Sequence, residues 1–156
     1  MGRLNEREGG IPTLLASSSR PTCQPMPPHD SASLDDFAGI AEAALGEIPE
    51  AFRRRLEGVA LRVDDWPDAG TLRALRIPDP LGLLGLYRGV PFGRKAAGAI
   101  VHDVDMIFLY RRPILAYWRA RGGRLEDLIR HVLVHEIGHH FGLSDADMER
   151  IENTPD

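Results

Sequence analysis

The sequence predicts an α+β fold, with short strands and several helices in one domain and the longest helix close to the C-terminus. Three observations lead there. Apolar residues recur at helical spacing at Phe37, Ile40, Ala41, Ala44 and Leu45, in the first third of the chain. They recur at the same spacing, more densely, between Leu125 and Phe141. Between these stretches lie three short apolar runs bounded by Gly, Pro and Asp, at 59–63, 83–90 and 105–110, and these read as strands.

Taken in order, residues 1–32 read as a disordered extension, with Gly9-Gly10, Ser17-Ser18-Ser19 and prolines at 12, 21, 25, 27 and 28. Within it, Met26 is read as an alternative start codon and Cys23 as a free thiol. Residues 33–156 make the domain. Ser33 opens its first helix, with Asp35 and Asp36 in the first turn, where negative charge suits the positive helix end. Gly46 and Pro49 punctuate it, and 50–56 supply a short helical piece turning Phe52 and Leu56 to the core. Val59, Leu61 and Val63 alternate as in a strand. Asp64-Asp65-Trp66-Pro67-Asp68 is a solvated turn, since its acidic spacing fits no calcium loop. A short helix at 71–75 follows, broken by Pro78, Pro80 and Gly82. The glycine-punctuated strand 83–90 leads into a loop or hairpin connection containing Pro91, Gly93 and Gly98, and 105–110 is the strongest strand. Pro113 starts a helix that Gly122-Gly123 ends.

The long helix begins near Arg124, with Glu126 and Asp127 in its first turn. Leu125, Leu128, Ile129, Val132, Leu133, Val134, Ile137 and Phe141 cover most of its circumference, so it is buried on several sides. Gly138 inside it costs about 1 kcal/mol relative to Ala and marks the close approach of a neighbouring strand. Gly142 stops it, and a final helix at 146–152 closes the chain.

The totals exclude several classes. A length of 156 residues supports one domain with a tail, and 43% hydrophobic residues suffice for a core. A net charge of −4 with a pI near 5.9 gives no reason to expect nucleic acid. Eighteen of the 19 basic residues are Arg, and they are scattered; Arg53-Arg54-Arg55 is read as a solvated helix face. With one cysteine there is neither an intrachain disulfide nor a cysteine-based zinc site, in keeping with a cytoplasmic location. The segment 11–16 is too short for a signal peptide, and no run of about 18 apolar residues crosses a membrane. The expected state is a cytoplasmic monomer without a membrane partner.

The chemistry lies in His135-Glu136-Ile137-Gly138-His139-His140-Phe141-Gly142-Leu143-Ser144-Asp145. On a helix, His135 and His139 stand about 40° apart and one turn along the axis, so both imidazoles reach one ion. Glu136 lies beside that face, where a carboxylate takes a proton from water at a hydrolytic zinc site. A catalytic zinc needs a third protein ligand and one open position. Gly142 can adopt the left-handed conformation that turns the chain out of the helix, and the chain then brings Asp145 back beneath the ion. Asp147, two residues later, is the weaker candidate. His131 cannot share a tetrahedral ion with His139, because the two span about 12 Å of helix. His140 points about 100° away and is read as packed or hydrogen-bonded. His29 and His102 stand in no motif.

This pattern resembles the small bacterial zincin-like metallopeptidases, over roughly residues 34–150. The likeness lies in Ile48-Pro49, in Gly85-Leu86-Tyr87-Arg88-Gly89-Val90-Pro91 and in the eleven residues from His135 to Asp145. The resemblance implies a minimal zincin-like fold: a small mixed β-sheet packed on helices, with the active-site helix near the C-terminus. It carries Zn²⁺ binding onto His135, His139 and Asp145 and general-base duty onto Glu136. Larger metzincins have a methionine turn beneath the metal; here Met148 follows almost at once and is read as a core or surface methionine instead. The function expected is zinc-dependent hydrolysis of a peptide or protein substrate. The alternative is a catalytically weak or inactive zinc-binding regulatory or interaction protein with a zincin fold, against which the retained Glu136 speaks. The strand 106–110 is expected to offer an edge for strand addition by the substrate. Tyr87, Arg88 and Tyr110 are candidates for stabilising the oxyanion.

Overall fold

The computed structural model describes residues 32–90 and 104–152. The extension, Cys23, Met26, His29, His102 and the 91–103 connection lie outside them.

Helix formation at the start is local in origin. Helix α1, Leu34–Glu47, is closed by a capping box in which the Ser33 side chain accepts from the Asp36 N–H and Asp36 accepts in return from the Ser33 N–H. Phe37, Ala41 and Ala44 form its buried stripe. A short helix α2, Glu50–Arg53, and a 3-10 turn follow. Leu56 is buried as expected, but Phe52 is half exposed and packs edge-on against Phe141 at 5.8 Å. The one-turn helix is too short to turn both residues inward.

The sheet has three strands among the described residues, in the order β1 (Ala60–Asp64), β3 (Met106–Tyr110), β2 (Gly85–Arg88). β1 runs parallel to β3, with Leu61 opposite Ile107. β2 runs antiparallel to it, with Tyr87 opposite Ile107. The sheet is therefore mixed. β3 is central, which corrects the expectation that it offers a free edge. Its continuous apolar run already suits a strand covered on both faces. Ile107 and Leu109 enter the main core, while Phe108 and Tyr110 join Leu83 and Leu86 in a second cluster on the other face.

Helix α3, Ala69–Ala74, and a 3-10 turn at Pro80–Gly82 join β1 to β2, and Leu72 and Leu75 pack into that second cluster. The acidic turn before α3 serves the protein itself. Asp68 accepts from the Thr71 N–H at 2.8 Å as the α3 cap, and Asp65 pairs with Arg111 at 3.0 Å. Arg111 also donates to the Ala32 carbonyl at 2.7 Å, tying the start of α1 to the end of β3.

Helix α4, Arg111–Arg121, ends at Gly122, and α5, Leu125–His140, follows. α5 packs against α1, α4, β2 and β3 at once. Ile129, Val132 and Leu133 are inaccessible, whereas Val134 is 43% exposed, so one strip of the helix faces outward where the sequence suggested burial. A short final helix α6, Asp145–Glu152, packs against α5. No helix among the described residues is long and apolar enough to cross a membrane.

Candidate metal centre

The end of α5 and the start of α6 build the site through two linked caps. Gly142 takes φ 84°, the Gly142 N–H donates to the His139 carbonyl at 2.9 Å, and the Leu143 N–H donates to the Gly138 carbonyl at 3.0 Å. This pair of bonds is a Schellman motif, which ends the helix and reverses the chain. Ser144 then opens α6: its hydroxyl accepts from the Asp147 N–H at 3.2 Å, and Asp147 accepts from the Ser144 N–H at 2.9 Å. Asp147 is thus engaged in a capping box. Asp145, the first residue of α6, is the one directed back beneath α5.

Its carboxylate meets both motif histidines. Asp145 Oδ1 lies 3.0 Å from His135 Nε2 and 3.0 Å from His139 Nε2. The two rings stand edge to face, with centroids 4.9 Å apart. His139 Nδ1 lies 2.9 Å from the Leu143 carbonyl oxygen. A carbonyl only accepts, so Nδ1 carries the proton and, in the neutral ring, Nε2 presents a lone pair. That Nε2 is buried without a hydrogen-bond partner, even though a carboxylate oxygen stands beside it. Two electron-rich atoms held this close favour a cation between them. Around a tetrahedral ion with bonds of 2.0–2.1 Å, ligand atoms sit about 3.3 Å apart, close to the spacing found. Two imidazole nitrogens and a carboxylate, one ring already oriented by the Leu143 carbonyl, fit a divalent metal.

Glu136 is fully buried. Its Oε2 accepts from the Tyr87 N–H of β2 at 2.8 Å, while Oε1 has no protein partner. It offers an oxygen within 4.8 Å of the ligand nitrogens of His135 and His139. Burial pushes its carboxyl well above the usual range; the Tyr87 hydrogen bond offsets part of this, and the negative Asp145 adds to it. Asp145 moves the opposite way. Burial raises its carboxyl, but the hydrogen bond from His135 and the positive charge that the two rings carry when protonated outweigh that and bring it down to about 2.

The remaining candidates lie outside this group. His131 is half-buried and stands outside the converging group. His140 is buried, with Nε2 2.9 Å from the Arg55 carbonyl and Nδ1 3.1 Å from the Tyr87 hydroxyl. Arg88 donates to Thr71 and lies over the Phe108 ring at 5.0 Å, and Tyr110 is buried in the second cluster. Tyr87 donates its hydroxyl to the Val90 carbonyl at 3.1 Å, and the same oxygen lies 3.1 Å from His140 Nδ1. These contacts tie all three oxyanion candidates into the packing. Gly138 does make room for a neighbour, but the neighbour is α6 rather than a strand: a Cβ there would overlap the Met148 sulfur. Met148 is accordingly a buried core methionine. The strand that approaches α5 closely does so at Gly85, where a Cβ would lie 2.8 Å from Val132 Cγ1 and 3.1 Å from Glu136 Cγ.

Two groups at the site had no side-chain signature: the Tyr87 N–H and the Leu143 carbonyl. Their trace in the sequence is indirect. Gly85 and Gly89 flank Tyr87 and mark where backbone comes close, and Gly142 marks the turn that presents Leu143.

Comparison with known families finds a match between residues 56–154 and the zincin-like metallopeptidase family. The matched span runs from the end of the 3-10 turn after α2 past the site, and the small mixed sheet with its helices is the minimal form of that fold. No curated protein matches the chain.

Proposed function

The chain belongs to the zincin-like metallopeptidase family, and on that premise we propose that it is a zinc-dependent peptidase acting on a peptide or protein substrate. The observation that carries this reading is the approach of His135 Nε2 and His139 Nε2, each at 3.0 Å, to the single oxygen Asp145 Oδ1. These three atoms would hold the ion. When bound, zinc supplies a Lewis acid that polarises the scissile carbonyl and acidifies water.

The protein's own part centres on Glu136. Its Oε1, buried and without a protein partner, is the proton-accepting atom. The raised carboxyl suits a group that takes a proton from the attacking water and delivers it to the leaving amine. Leu143 keeps His139 in the tautomer whose Nε2 can ligate. The outer edge of β2 borders Glu136, so a substrate approaches along β2 rather than β3.

Metal analysis of the purified chain, with turnover of a broad peptide library beside Glu136→Gln, tests the reading. The wild type should carry about one zinc per chain. Glu136→Gln should keep the zinc and lose at least about a hundredfold in turnover. Equal cleavage by both proteins would assign the activity to a contaminant. A zinc-loaded chain that cleaves nothing would favour the non-enzymatic zinc protein.

A further inference from the structure

We propose that Tyr87 is the positioning residue for the base: its main-chain N–H sets the carboxylate of Glu136, and its phenol, held by His140 and Asp105, fixes that N–H in place. This rests on the reading of Glu136 as the proton acceptor.

The argument starts from the freedom of a glutamate. Its terminal torsion is broad and roughly two-fold, so burial alone does not choose which oxygen faces the histidines. A single hydrogen bond of 2.8 Å from Tyr87 to Oε2 makes that choice and leaves Oε1 as the oxygen without a protein partner. The donor belongs to β2, a four-residue edge strand. The Leu84 carbonyl accepts from the Tyr110 N–H at 2.9 Å, so alternate residues point their main-chain groups at β3 and the Tyr87 N–H points outward. Nothing in the ladder holds an outward N–H, and the last turn of so short an edge strand frays readily.

The side chain of Tyr87 supplies the restraint. Its ring meets His140 edge to face at 5.4 Å, and its hydroxyl lies 3.1 Å from both His140 Nδ1 and the Val90 carbonyl. Asp105 accepts from the Val90 N–H at 3.2 Å and lies with the Tyr87 hydroxyl against Gly89, where a Cβ would overlap both. His140 is in turn anchored to the Arg55 carbonyl at 2.9 Å. The network joins α5, the end of β2 and the start of β3 around one phenol. Its two anchors, His140 and Asp105, are buried. His140 thus has a role although it faces away from the ligand pair, and so does the glycine punctuation of β2.

The experiment compares the wild-type chain with Tyr87→Phe, which keeps the ring and main chain, and with Asp105→Asn. Amide hydrogen exchange, followed residue by residue, is the readout independent of activity. The residue-87 amide should exchange at least about tenfold faster in both variants, while the Phe108 amide keeps its protection. In Glu136→Gln, the residue-87 amide proton should lose its charge-assisted downfield position. Kinetically, Tyr87→Phe should bind zinc as the wild type does, keep KM and lose about tenfold in kcat. Unchanged exchange at residue 87 in both variants overturns the proposal. So does an active Tyr87→Phe with wild-type kcat, or one whose loss matches a loss of zinc. If the wild type proves inactive but the exchange pattern holds, the peptidase reading fails and the positioning of Glu136 by Tyr87 stands.

Discussion

Asp145 shows how the site balances opposing effects at the scale of one residue. Burial alone raises a carboxyl, yet the two histidine nitrogens 3.0 Å away bring this one down to about 2. A carboxyl with a lowered folded value contributes stability at pH above its ordinary 3.8, and that contribution is lost as pH falls through about 2. In the metal-free chain, Asp145→Asn should therefore cost stability at pH 6, and the gap to the wild type should narrow as pH falls from about 4 towards 2. Urea melts of both proteins across this range measure the gap; a gap independent of pH would mean that the carboxylate charge contributes nothing. Other lowered carboxyls, such as Asp36 and Asp147, are present in both proteins and cancel in the comparison. The pairing of His135 with His139, and the suitability of Glu136 beside them, were legible in the sequence because both follow from helical rotation alone. The tautomer of His139 was not, since it depends on a carbonyl delivered by the chain after the helix.

At the scale of elements, the decisive contact is that of β2 with α5. Gly85 allows it, because a Cβ there would press on the branched Val132, the stem of Glu136 and the Phe108 carbonyl. Gly85→Ala should destabilise the protein by about 1–3 kcal/mol through overpacking. Gly39 is the contrasting case: it lies inside α1 with nothing within 4 Å of an added Cβ. Gly39→Ala should stabilise by about 0.5–1 kcal/mol through helix propensity. Thermal melts of the two variants should move in opposite directions, and a stable Gly85→Ala would show that β2 is free to shift. Element existence was largely readable: Ser33, Gly122 and Gly142 act within a few residues of where they stand. Element placement was less so. The run 105–110 is as apolar in an edge strand as in a central one, and only its pairing with both β1 and β2 decided the matter. Likewise, Gly138 announced a close neighbour without saying whether it was a strand or α6.

For the molecule as a whole, the site joins α5 to α6, which is held otherwise by Met148 against Gly138 and by its own capping box. Metal binding and the docking of α6 are therefore the same event in part, and binding should appear as folding stability. Zinc at a thousandfold its dissociation constant should add about 4 kcal/mol, a rise in Tm of roughly 15 °C, and chelation should reverse it. Melting indifferent to both would show that Asp145, His135 and His139 hold together without the ion. The main core is built without His135, His139 or Asp145, so the metal-free chain should still melt cooperatively.

The sequence by itself determined the chemistry on offer and the local turns that present it. The spacing of His135 and His139, the left-handed Gly142 and the cap at Ser33 depend on neighbours in the chain, so they can be read from the chain. Tertiary structure alone decided which strand borders Glu136, which neighbour fills the space beside Gly138, and that Phe52 and Val134 stay partly outside. It also supplied the Tyr87 N–H to Glu136 across 49 residues of sequence. A main-chain donor has the same chemistry at nearly every residue, and only packing gives one of them a function.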